Sequence, residues 1–114
     1  MIEKIINILS KQRFGLQDEK VLQRQIAEVF VSNNIHCEKE YRLDKNNIPD
    51  FFINGLAIEV KIKGPKKSIY KQCERYSKFD SVNNILLITN RSMGFPELLN
   101  EKPCYVLNLG RAWL

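Results

Sequence analysis

The stretch Ile48-Pro49-Asp50-Phe51-Phe52-Ile53-Asn54-Gly55-Leu56-Ala57-Ile58-Glu59-Val60-Lys61 carries the strongest structural signal in the chain. Asn54-Gly55 sits between two apolar runs, and both residues tolerate the positive φ of a type I′ turn. A two-residue loop there pairs Ile53 with Leu56, Phe52 with Ala57 and Phe51 with Ile58. One rung further, Asp50 falls opposite Glu59. Side chains alternate along a strand, so Lys61 shares the face of Glu59 one step on.

Two carboxylates opposed at about 5 Å between Cβ atoms repel. The apolar neighbours Phe51, Ile53, Ile58 and Val60 raise the cost of charging them. A divalent cation resolves the conflict, because Mg²⁺ takes one or two carboxylates and keeps waters for a substrate phosphate. The Val60 carbonyl is a further candidate ligand. Lys61, beside the carboxylates, has the chemistry to hold or deprotonate an attacking water, or to neutralise charge growing on phosphorus. The competing interpretation is a surface hairpin on which Asp50, Glu59 and Lys61 form a solvated ladder of ion pairs.

Pro49-Asp50 followed, after eight intervening residues, by Glu59-Val60-Lys61 resembles the signature of the PD-(D/E)xK nuclease superfamily. The resemblance implies a restriction-endonuclease-like α/β fold, a mixed sheet with an α-β-β-β-α-β core flanked by helices. It also implies an Mg²⁺ or Mn²⁺ requirement and phosphodiester hydrolysis. In that superfamily a glutamate on the first core helix often completes the metal site, and Glu19 is the residue that matches it, with Glu28 the weaker candidate. Gln72-Cys73-Glu74-Arg75-Tyr76 resembles the QxxxY element of the RecB-like and lambda-exonuclease-like branches. There the glutamine lies near the site and the tyrosine packs or contacts the substrate.

The length of 114 residues suits one domain, 1–114. With 44% apolar and 27% charged residues the composition is that of an ordinary globular protein. A net charge of +5 suits a polyanionic partner. Cys37, Cys73 and Cys104 lie far apart with no CxxC pair, which argues against a disulfide framework or a zinc site and fits a reducing compartment. His36 is the only histidine, so histidine-based triads and multi-histidine metal sites are excluded. No apolar run approaches the ~20 residues of a membrane span, and the N-terminus has no signal-peptide pattern. A cytoplasmic location without membrane partners is the expectation.

Ile2, Ile5, Ile6 and Leu9 fall at helical spacing, and Ser10 to Leu16 forms a connection. A second helix is expected from about Asp18 to Ser32, with Asp18 as N-cap and Leu22, Ile26, Val29 and Phe30 as its buried stripe. Glu19 lies on the side of that stripe and could reach a site on the adjoining sheet, or it simply complements the helix dipole. His36 to Leu43 alternates as a strand, with Cys37, Tyr41 and Leu43 on one face and Glu38, Glu40 and Arg42 on the other. Glu40 is expected in solvent. Asp44 to Asn47 makes a polar turn.

Gly64-Pro65 stops the strand that follows the hairpin, and Lys61, Lys63, Lys66 and Lys67 put four lysines within seven residues. Such a run is a solvated loop or, beside a metal site, a binding surface for nucleic-acid phosphates. Ser68 is expected to cap a third helix reaching about Phe79, with Ile69, Cys73 and Tyr76 inward and Gln72 beside Tyr76. Arg75 is a phosphate contact or a plain surface charge. Asn84 to Thr89 is a strand buried on both faces. Phe95 to Leu99 suggests a short helix, and Cys104 to Leu109 a last strand. Trp113 in the tail covers the core or joins an oligomer interface.

The expected activity is metal-dependent phosphodiester hydrolysis, with Asp50, Glu59, Lys61 and Gln72 catalytic. Asp50, Glu59, the Val60 carbonyl and Glu19 would hold the metal, while Lys63, Lys66, Lys67, Arg75 and Tyr76 would contact nucleic acid. Family habit favours DNA over RNA. A minimal core leaves no insertion for reading a long base sequence, so structure-, end- or partner-directed cutting is expected. Duplex cleavage would call for a homodimer, as in the Holliday-junction resolvases of the superfamily, or for a partner protein supplying the target. The alternative is a non-catalytic nucleic-acid-binding or assembly module on the nuclease fold.

Overall fold

The Asn54-Gly55 turn forms with φ of 45° and 88° at its two residues. A computed structural model of the chain describes residues 1–110. In it β2 (Phe51–Ile53) and β3 (Leu56–Lys61) pair antiparallel in the expected register, Ile53 with Leu56, Phe52 with Ala57 and Phe51 with Ile58. Gly55 is required twice over. Its φ is left-handed, and a Cβ there would collide with the Asn83 side chain.

Three helices and four further strands complete the chain: α1 (Ile2–Ser10), α2 (Glu19–Ser32), β1 (Glu38–Lys39), α3 (Lys66–Tyr76), β4 (Asn84–Thr89), β5 (Leu98–Leu99) and β6 (Lys102–Asn108). The sheet is open, six-stranded and mixed, in the order β1-β2-β3-β4-β6-β5. β3, β4 and β6 run parallel, and both edges are antiparallel. β4 lies centrally, which its unbroken apolar run requires: Ile85, Leu86, Leu87 and Ile88 are wholly buried. Leu86 and Ile88 face the α1/α2 layer, while Ile85 and Leu87 face α3. Each such side chain contributes on the order of 1.5–3 kcal/mol relative to exposure.

On the first layer, Ile5 and Leu9 of α1 and Leu22, Ile26 and Phe30 of α2 are fully buried. The Asp18 side chain caps α2, accepting from the amides of Lys20 and Val21 at 2.8 and 3.2 Å. On the second layer, Ile69, Cys73 and Tyr76 are the inward face of α3. Among the described residues no helix is long and apolar enough to cross a membrane.

Three local expectations are corrected. The strand expected over residues 36–43 shrinks to Glu38–Lys39, because Glu40 takes a φ of 48° and breaks the alternation. Cys37 and Leu43 therefore pack against opposite layers, and Tyr41 stacks on Phe52 with ring centroids 4.2 Å apart. The third helix starts at Lys66 behind Pro65 and ends at Tyr76, so Ser68 lies in its first turn and is not its cap. Residues 95–99 form no helix. Leu98 and Leu99 pair with Pro103 and Lys102 across the Asn100-Glu101 loop, whose φ values are 49° and 68°. The backbone pairing of this small hairpin outweighs the helix-start signal of Pro96. The tail bearing Trp113 lies outside the described residues.

Candidate functional site

β3 outruns β2, and the site is built on the overhang. In a hairpin closed by a two-residue loop, Leu56 and Ile58 turn their N–H and C=O groups toward β2, so Val60 and Ile62 point theirs off the same edge. β2 has ended there, and two carboxylates take the stranded donors. Asp50 Oδ2 accepts from the Val60 amide at 2.7 Å. Glu19 Oε1, reaching across from the first turn of α2, accepts from the Ile62 amide at 2.8 Å. The Val60 carbonyl leaves the strand on this same side.

Glu59, one residue out of phase, points to the α3 layer and is only 2% exposed. The Tyr76 hydroxyl donates to its Oε1 at 2.8 Å, and Gln72 Nε2 donates to the Tyr76 hydroxyl at 2.8 Å. Lys61 Nζ stands 3.5 Å from Glu59 Oε2. Gln72 thus reaches Glu59 through Tyr76, one helical turn further along α3.

Burial dominates the electrostatics. Glu59 is pushed up to about 8 by burial and then by the charge of Asp50, against the pull of Tyr76 and Lys61. Asp50 is pushed up to about 6, again mainly by burial, with the Val60 amide and Lys61 opposing and Glu19 adding to the rise. At neutral pH the Asp50–Glu59 pair therefore carries less than two full negative charges. Burial alone would lower the Lys61 ammonium, but Glu59, Glu19 and Asp50 outweigh it and raise its pKa. Burial, with Glu59 beside it, also raises the Tyr76 hydroxyl, which stays a proton donor.

The structure therefore brings Glu19, Asp50, Glu59 and Lys61 to one end of β3. Among the described residues no three acidic, histidine or cysteine side chains gather as a metal-holding group. Glu19, expected as a third ligand, does not close such a group with Asp50 and Glu59; its Oε1 accepts from the Ile62 amide. The remaining donors, Asp50, Glu59 and the Val60 carbonyl, are all oxygens. One buried and one half-buried carboxylate beside one ammonium form a set that suits a hard divalent cation. Asp50 also lines a cavity of about 190 Å³ between α2 and the β1 edge, which gives this end of the site an opening.

The surrounding residues sort less evenly. Lys63, Lys66 and Lys67 are exposed on the loop and first turn that follow β3. Arg91, beyond β4, donates to the Gly64 carbonyl and ties that loop to the sheet. Tyr76 is wholly buried, so its expected contact with nucleic acid is corrected: its hydroxyl serves Glu59. Arg75 Nε donates to Asn47 Oδ1 at 3.1 Å. Asn47 was not singled out by the sequence, although its place in the Asp44–Asn47 polar turn was the available signal. No family model, curated protein or solved structure matches the chain.

Proposed function

We propose that this protein is a metal-dependent nuclease of the PD-(D/E)xK kind on a restriction-endonuclease-like fold, acting on DNA ahead of RNA. One observation carries the reading: Asp50, Glu59 and Lys61 converge where β3 overhangs β2, with Glu59 buried and held by Tyr76. Mg²⁺ or Mn²⁺ held by Asp50, Glu59 and the Val60 carbonyl would supply polarisation of the scissile phosphate and acidification of the attacking water.

The chain's own residues have separable tasks in this scheme. Glu59 must give up the proton that burial favours before it can serve as a ligand, so cation binding and proton release are linked. Tyr76 and Gln72 fix its carboxylate in one orientation. Lys61, held protonated by the carboxylates around it, stabilises negative charge on the phosphate and is not a base in the resting protein. Lys63, Lys66 and Lys67 face solvent past the end of β3, where phosphates of a bound strand would pass.

A second reading, a non-catalytic nucleic-acid-binding module, draws on the lack of a third acidic, histidine or cysteine side chain gathered with Asp50 and Glu59 among the described residues. One experiment separates the two. Linear duplex, single strand, four-way junction and RNA are each incubated with EDTA, Mg²⁺ or Mn²⁺, using the parent protein and Lys61→Ala purified in parallel. Cutting by the parent that needs metal, and its loss in Lys61→Ala, is the expected result. Equal binding by both proteins with no cutting in any metal overturns the nuclease and leaves the module.

A further inference from the structure

We infer that Arg75 is a positioning residue that sets Asp50 through Asn47, and is not a phosphate contact; this rests on the nuclease reading of the site. Asp50 follows a turn closed by its own side chains. Asp44 Oδ1 accepts from the amides of Asn46 and Asn47, both at 2.8 Å, and from Asn47 Nδ2 at 3.0 Å. The Asn47 carbonyl accepts from the Leu43 amide at 2.9 Å. Leu43, whose amide closes the turn, packs on the α3 layer, and a side-chain hydrogen bond ties the turn to the same layer. Asn47 is 8% exposed, and its remaining side-chain oxygen takes the Arg75 Nε donor.

From Asn47 the chain has only Ile48 and Pro49 before Asp50. Pro49 is buried, and its carbonyl and that of Asp50 accept from the Tyr41 and Glu40 amides at 3.1 and 2.9 Å. The segment is thus short, ring-restricted at Pro49 and bonded at the Pro49 and Asp50 carbonyls, so a displacement of Asn47 is passed to Asp50. Neighbouring residues on α3 hold both halves of the site: Tyr76 bonds Glu59, and Arg75 bonds the turn that delivers Asp50. A lysine in place of Arg75 keeps the charge but has no Nε–H in that position.

The test uses Arg75→Lys, Arg75→Ala, Asn47→Ala and the Arg75→Ala/Asn47→Ala double variant. Amide hydrogen exchange in EDTA reads the Val60 amide, which Asp50 holds, against the Ile58 amide of the β2–β3 ladder. Both Arg75 variants are expected to lose protection at Val60 while Ile58 keeps it, and the double variant to lose no more than the single ones. Mn²⁺ titration of the same proteins without nucleic acid should show affinity lowered on the order of tenfold, in Arg75→Lys and Arg75→Ala alike.

The opposite pattern overturns the inference. Arg75→Lys with parental Val60 protection, together with Arg75→Ala reducing the salt dependence of DNA binding by about one phosphate contact, makes Arg75 a backbone contact. Absence of Mn²⁺ binding in the parent would sink the nuclease reading instead. The exchange data would still decide the clamp in that case, because they need no metal.

Discussion

Glu59 sits 2% exposed between a tyrosine hydroxyl and a lysine ammonium, and its proton is its largest liability. Its pKa rises from 4.5 to about 8 on folding, so the folded protein binds a proton that the unfolded chain has released over that interval. Stability from this group is fully present below the unfolded value and is lost as pH rises through about 8. The amount is on the order of a few kcal/mol, at 1.36 kcal/mol per pKa unit. Thermal unfolding in EDTA should therefore show the parent losing stability between pH 6 and about 9, and Glu59→Gln losing much less. Excess Mg²⁺ should restore the parent at the alkaline end and leave the variant unchanged. A parent whose melting temperature is flat across this range in EDTA would mean that Glu59 is ionised without a cation.

At the scale of elements, the start of α3 is built against the helix dipole, although Arg75 complements it in the last turn. Its first turn carries Lys66 and Lys67 and no acid, and Pro65 at the N-cap has no side chain to accept an amide. A helix start ordinarily favours Asp or Glu there by about 0.3–1 kcal/mol. Lys66→Glu should accordingly raise the melting temperature while weakening DNA binding and its salt dependence, as judged by fluorescence anisotropy across a salt series. A variant both more stable and undiminished in binding would remove Lys66 from the interface. The elements also show what could be foreseen. Asn54-Gly55 specified the central hairpin because its two residues match the turn's φ requirement, and the register then placed Asp50 beside β3. Asn100-Glu101 makes a comparable turn with far weaker chemistry, so the pattern around Pro96 points to a helix where β5 forms. Glu40 gave no warning of its positive φ. Of the candidate site, Glu59 and Lys61 are legible from alternation along β3, Asp50 from the register that the turn sets, and Glu19 from helical spacing. The bond from Glu19 to the Ile62 amide spans 43 residues of sequence, and that from Arg75 to Asn47 spans 28; no local pattern encodes either partner.

At the scale of the molecule, 32 × 30 × 24 Å holds one end of β3 and one Asp50–Glu59–Lys61 set among the described residues. The two strands of a duplex run in opposite directions, so on the nuclease reading proposed above one set would address one strand in a given orientation. The second strand would then wait for a second molecule or for release and rebinding. Covalently closed circular DNA with Mg²⁺ separates these routes. At low protein concentration nicked circles should accumulate first, and linear product should follow with a steeper than first-order dependence on protein. If a stable dimer forms, its two sites shorten the lifetime of the nicked circle, and sedimentation at the same concentrations would show a species of twice the 13.4 kDa chain mass. Linear product formed without nicked circles, first order in protein and from a monomer, would require a second hydrolytic centre in the same chain. The net charge of +5 adds a control, since raised salt should slow encounter and the first nick together without changing the order of products.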